Sequence, residues 1–217
     1  LLTAAGPSDL VLEGGTHNPF APPFDFPART FLPLLSRMGA KVRATLDRPG
    51  FYPAGGGRFT VHIEPAERLS QVELTERGGI VRRLARALVA RLPRNIAERE
   101  MNVIRQKLSW PPECLQVEEV KNSRGPGNLV VVEVESEQVT EVFTGFGQRG
   151  VPAEAVASQA ADAVREYLAA DVPVGRHLAD QLLIPMALAG GGRFRTLPLT
   201  RHTTTNIEVV RQFLDVE

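Results

Sequence analysis

The chain has 217 residues, 43% of them hydrophobic and 23% charged, which excludes a disordered, collagen-like or coiled-coil polypeptide and leaves room for one large domain or two small ones. Its 25 Lys and Arg balance 25 Asp and Glu, so net charge alone gives no reason to expect a partner that grips long stretches of nucleic acid or an acidic membrane. Any anion contact must be local.

In chain order, Asp9–Glu13 reads as a short strand stopped by Gly14 and Gly15. The next loop, residues 16–23, carries three prolines and is expected to be rigid and non-helical. Asp25 is placed to cap a helix whose apolar residues Phe26, Phe31, Leu34, Leu35 and Met38 recur at helical spacing up to Gly39, with Pro33 bending it. Residues 41–46 and 58–63 look extended, and between them lies the turn Arg48-Pro49-Gly50-Phe51-Tyr52-Pro53-Ala54-Gly55-Gly56-Gly57. No Gly-Lys-Ser/Thr follows those glycines, so the turn reads as a tight hairpin in which backbone passes close to backbone, not as a phosphate loop.

A second region runs from about residue 78 to 173. It opens on a helix at 95–108, with Asn95 as cap and Glu98 completing a capping box, and continues in strands at 115–120 and 129–134. An amphipathic helix at 152–169 turns Val156, Ala160, Val164 and Tyr167 to one side. Residues 178–189 form an apolar, buried helix with Asp180 and Gln181 in its first turn. A strand at 193–197 follows, then a helix capped by Asn206 with Ile207, Val210, Phe213 and Leu214 inward.

Four histidines are candidates for chemistry. His62 alternates with strand residues and is expected to face solvent. His17 is either a turn residue or the wall of a pocket. His177 can present a flat ring to a ligand, beside a carboxylate, Asp180, that needs a partner, a metal or a water-filled cleft. His202 lies near a helix start, where free backbone N–H groups favour phosphate, so it is either a loop residue or a nucleophile, with Arg193, Arg195 and Arg201 as candidate counter-charges.

The Arg48–Gly57 turn is similar to the Gly-x-x-Pro-x-Gly-Gly-Gly block of RNA 3′-terminal phosphate cyclases. Blocks resembling that family follow in the same order through the chain: Gly14–Pro19 with Ala21-Pro22-Pro23, Pro93-Arg94 with Ala97–Glu100, Gly125–Asn128, His177–Gln181, and Arg201–Asn206. The resemblance implies an α/β (α+β) fold of repeated βαβαββ units. Residues 1–77 and 174–217 would belong to the large cyclase domain, here partial, and 78–173 to a smaller inserted α/β domain. It implies a ligase that consumes ATP, assisted by a divalent metal (Mg or Mn), and closes an RNA 3′-phosphate into a 2′,3′-cyclic phosphodiester through a histidine–AMP intermediate and an RNA adenylylate.

His202 matches the nucleophile position. His177, Leu178, Ala179, Asp180 and Gln181 match the ATP-binding block, and Pro23 the opposite wall of the adenine slot. The partners implied are RNA 3′-phosphate ends. The family's amino-terminal Gly-rich block has no counterpart here, and the chain opens on Leu1, so this stretch by itself is expected to be inactive. A non-catalytic relative serving ribosome biogenesis would lack the histidine at 202, and a carboxyvinyl transferase of related fold would lack the blocks at 177–181 and 202. The single cysteine, Cys114, excludes an intramolecular disulfide and fits the cytoplasm; no apolar run approaches the roughly 18 residues of a membrane span, so no membrane partner is expected.

Overall fold

The computed structural model describes residues 1–216 of the chain and shows a mixed α and β architecture. Strand β1 (Ser8–Gly14), a π-helical turn (Pro27–Phe31) running into α1 (Leu32–Arg37), β2 (Lys41–Arg48) and β3 (Gly57–Glu64) form the first unit. Its sheet has the order β1-β3-β2, with β3 antiparallel to both neighbours. The π turn ends two residues before Pro33, which has no N–H to give; the Leu32 N–H reaches back five residues to the Pro27 carbonyl. Asp25 does not cap this helix, contrary to expectation, because its carboxylate is committed to His17 and Arg86.

The β2–β3 connection passes backbone over backbone, as its glycines suggested. A Cβ on Gly50 would lie 2.1 Å from the Gly57 nitrogen, and Gly55 and Gly56 hold positive φ of 60° and 70°.

Residues 80–170 carry a four-stranded sheet of β5 (Ile80–Ala90), β6 (Leu115–Glu119), β7 (Gly127–Ser136) and β8 (Thr140–Phe146) in the order β6-β5-β7-β8; a two-residue β4 (Glu73–Leu74) precedes it. Helices α2 (Asn95–Leu108) and α3 (Ala153–Ala170) cover one face. Ala85, Ala87, Val89, Val130, Val132 and Val134 point into a core with Met101, Ile104, Val156, Val164 and Tyr167. Leu88, Ala90, Leu129 and Val131 alternate to the other face and join Phe26, Leu34, Leu35, Met38, Phe51, Leu178 and Leu182. Because β7 is buried on both faces, its sequence reads as a nearly continuous apolar run. Asn95 is not the cap of α2: Arg94 holds that position, and Glu98 bonds the Arg94 Nε at 3.0 Å.

Helix α4 (Arg176–Leu188) is followed by β9 (Arg193–Phe194), which pairs with β4 and is shorter than the expected 193–197, and by α5 (Arg201–Phe213). Two corrections concern α5. It starts five residues before Asn206, capped by Thr200, whose hydroxyl accepts the Thr203 N–H at 3.2 Å. Phe213, expected inward, is 80% exposed. No helix among the described residues is long and apolar enough to cross a membrane.

Candidate active site

A cleft of about 400 Å³ opens where the proline loop, Phe26 ahead of the π turn, β8 and the first turns of α4 and α5 meet. Pro19, Phe20, Ala21, Pro22 and Pro23 make one wall. His177, Asp180 and Gln181 from α4, Thr200 and His202 from the start of α5, and Val142, Thr144 and Phe146 from β8 line much of the remainder. The structure therefore brings Pro23, His177, Asp180, Gln181 and His202 together. Leu178 and Ala179 lie on the inner side of the same helical turn, 0% and 1% exposed in the core, and their side chains do not line the cleft.

The consequence of the earlier start of α5 is that His202 is neither a loop residue nor a residue ahead of the helix. It occupies the first turn itself, exposed to the cleft and to a shallower groove formed with Asp180, Arg201, Thr205 and Asn206. Thr200 satisfies the Thr203 N–H, so the N–H groups of residues 201 and 202 remain free of helical partners. α4 also starts at the cleft. Two helix N-termini thus place partial positive charge beside one cavity, which favours an anionic ligand.

Asn206, freed from capping, ties the two helices together. Its Nδ2 donates to the Asp180 backbone oxygen and to Asp180 Oδ1, both at 3.1 Å, while Gln181 Nε2 donates to Asp180 Oδ2 at 3.2 Å. Both carboxylate oxygens are oriented, and Asp180 is the only acidic side chain among the described residues that lines the cleft. The His177 ring meets the edge of Phe26 at 6.2 Å between centroids and 78° between planes. Partial burial lowers the His177 pKa; Asp180 opposes this and His202 adds to it. A neutral, flat imidazole facing a proline wall suits a planar aromatic ligand.

Beneath the first turn of α4 sits Glu141, 2% exposed, whose Oε1 accepts the N–H of Gly175, the helix cap, at 2.5 Å. Burial pushes its pKa up to about 8, against the Gly175 and Val142 backbone N–H groups, which favour the ionised form.

The proline loop is fixed from behind by a buried charge network. His17, 2% exposed, shares a 2.7 Å hydrogen bond with the Thr16 hydroxyl, and its Nε2 lies 3.6 Å from Asp25. Asp25 and the buried Glu133 both bond Arg86, and Arg29 reaches Glu133 at 3.2 Å. Burial alone would raise the Asp25 pKa, but the hydrogen bond from His17 and the charge of Arg86 outweigh it and hold Asp25 low. His17 is thus a buried wall and brace. His62 faces solvent, paired with Asp9 at 2.7 Å.

Two candidate counter-charges are placed elsewhere. Arg193 pairs with Glu73 at 3.0 Å, and Arg195 donates to the Thr75 carbonyl at 3.1 Å. The sequence reading missed Arg176, Thr144 and Gln159, which also line the cleft. Alternation of Val142, Thr144 and Phe146 was the available signal for the second of these; nothing local marked the other two.

An oriented carboxylate, an imidazole at a helix N-terminus and a flat-walled slot thus meet in one cleft whose electrostatics suit an anionic ligand. The chain belongs to the family described as RNA 3′-terminal phosphate cyclase, whose family model matches residues 1–217. Relatives carrying that name include proteins of Koribacter versatilis, 52% identical over 216 residues, and Ectopseudomonas mendocina, 47% identical over 217; each alignment covers 100% of this chain, and 61% and 63% of the relative. A Salmonella enteritidis relative is 45% identical over 213 residues, covering 98% of this chain and 62% of its own length. The chain thus spans about three fifths of the curated relatives it matches.

Proposed function

We propose that the chain supplies the nucleophile and the adenine slot of an ATP-dependent, cytoplasmic enzyme that converts RNA 3′-terminal phosphates to 2′,3′-cyclic phosphodiesters. One observation carries this reading: in a chain of this family, His202 stands in the first turn of α5 and faces the same cleft as His177, Asp180 and Gln181.

Adenine enters between Pro23 and His177, and the α-phosphate lies at the α5 N-terminus. A ring nitrogen of His202 attacks the α-phosphorus and pyrophosphate leaves, giving a histidine–AMP phosphoramidate. An oxygen of the RNA 3′-phosphate then takes AMP from the imidazole, forming a 3′,5′ pyrophosphate linkage. The adjacent 2′-hydroxyl attacks the RNA phosphorus, loses its proton and expels AMP, which closes the ring. Free N–H groups at the α5 start stabilise charge that builds on the phosphoryl oxygens in each step.

A divalent cation, magnesium or manganese, fits the donors present. Among the described residues no group of three or more His, Cys, Asp or Glu would cage a metal, which suits an ion bound through one carboxylate, Asp180, and the nucleotide's phosphates. When bound it would neutralise phosphate charge; Asn206 and Gln181 keep Asp180 turned toward that position. Residues 78–173 form the inserted module of this enzyme, and residues 1–77 with 174–217 part of its larger domain.

The test is turnover of a 3′-phosphorylated oligoribonucleotide by the full-length protein with ATP and magnesium. A cyclic end with release of AMP and pyrophosphate, lost in His202→Ala, is expected; cyclisation surviving that substitution would overturn the assignment.

A further inference from the structure

Beside the cleft lies a second groove of about 520 Å³, lined by His17, Pro19, Phe20, Phe51, Tyr52 and Pro53 and, across from them, by the strand ends at 127–128 and 146–149. Two of its aromatic rings are exposed to an unusual degree: Phe20 at 80% and Tyr52 at 57%, meeting edge to face at 5.4 Å. Exposed aromatic rings at a cavity mouth mark a binding surface more often than a packing accident.

The platform is rigid. The Tyr52 N–H donates to the His17 carbonyl at 3.0 Å, His17 stacks at a tilt on Phe51 at 4.9 Å, and prolines 19 and 53 restrict both flanks. Gly127 makes room for the Phe51 ring, whose Cγ would lie 2.0 Å from a Cβ there.

Its charge is one-sided. Among the described residues no acidic side chain lines the groove, Arg149 is exposed at its end, and Arg149 has no ion-pair partner. The groove is also continuous with the cleft, because Pro19, Phe20 and Phe146 line both.

We propose that this groove binds the single-stranded RNA immediately 5′ of the reacting end, one base stacking on Tyr52 and Phe20 while Arg149 pairs with a backbone phosphate. The proposal rests on the reading of the cleft given above and extends it to the substrate. Stacking on an aromatic ring accepts any base, so recognition here is of single-strandedness and not of sequence, and the site prefers an oligonucleotide to a mononucleotide. A cation at one point along the strand is compatible with zero net charge on the chain.

The experiment uses the full-length protein without ATP and a 3′-phosphorylated oligoribonucleotide bearing 2-aminopurine at the penultimate position. Binding should quench the probe. Tyr52→Ala should raise Kd at least five-fold, the lower end of what one stacked base contributes, and Tyr52→Trp should restore it to within two-fold. Arg149→Ala should reduce the slope of log K against log salt by about 0.7, one phosphate of a single strand. Binding without quenching, or an unchanged Kd in Tyr52→Ala, would overturn the proposal. The AMP adduct on His202 needs no RNA: adduct formation without quenching sinks this inference alone, and quenching without an adduct sinks the proposed chemistry alone.

Discussion

Replacing Glu141 with Gln should change how the protein's stability depends on pH. In the folded chain burial holds the Glu141 pKa near 8, whereas the unfolded value is about 4.5. Between these values the folded state keeps a proton that the unfolded state has released, so the slope of unfolding free energy with pH is negative, about 1.4 kcal/mol per unit for one proton. The contribution is complete below pH 4.5 and is lost as pH rises through 8. Over the three units from pH 5 to pH 8 this amounts to about 4 kcal/mol. Gln retains an oxygen to accept the Gly175 N–H but carries no titrating proton, so the variant lacks this slope. Nearby Tyr167, its own pKa raised by burial and by Glu141, stays neutral across this range.

Urea unfolding of both proteins at pH 5, 6, 7 and 8 gives the difference directly. The stability of Glu141→Gln relative to the native protein should rise by about 4 kcal/mol across the series. Parallel profiles would refute the reasoning. Glu100, raised by burial to about 7, titrates with the same sign in both proteins and cancels in the comparison.

Other outcomes follow from the same contacts. Arg86→Ala leaves Asp25 with His17 and Glu133 with the more exposed Arg29 and Arg82 as their remaining partners, and should cost about 3 kcal/mol in denaturant unfolding. Gly50→Ala drives a methyl group into the Gly57 backbone and should destabilise by on the order of 3 kcal/mol; a shift in unfolding midpoint too small to measure would mean the two strands are not so close. Asn206→Ala removes two hydrogen bonds to Asp180 on a partly exposed surface. It should change stability by only about 1 kcal/mol yet raise the magnesium concentration needed for half-maximal adenylylation, an effect that Asn206→Asp should not relieve.

Strand β3, where Phe59, Val61 and Ile63 alternate with Thr60 and His62, and the long amphipathic α3 were legible in the sequence from their periodicity, and β1 from its short apolar run stopped by Gly14 and Gly15. Strand β5 was not. Its Ile-Val-Arg-Arg-Leu-Ala-Arg-Ala-Leu-Val-Ala sequence carries helix-favouring Arg, Ala and Leu, and what makes it central is non-local pairing with β6 and β7, its Arg86 meeting Asp25 and Glu133, residues 61 and 47 positions away. The start of α5 was misplaced for a related reason. Three consecutive threonines have low helix propensity, but Thr203 is buried and capped by Thr200, and Asn206 serves Asp180 instead of the helix end.

The residues assigned to the cleft by family blocks converge in space, apart from Leu178 and Ala179, which the helical period turns inward. Glu141 and the His17 brace carried no local signal, since their roles arise only when distant segments meet.

The central claim is that His202 is the nucleophile, and peptide mapping of the adenylylated protein tests it most directly. Full-length protein incubated with labelled ATP and magnesium, then digested after arginine, should yield the peptide His202–Arg211 carrying one acid-labile AMP. AMP found on any other peptide, or an adduct that persists in acid, would contradict the account.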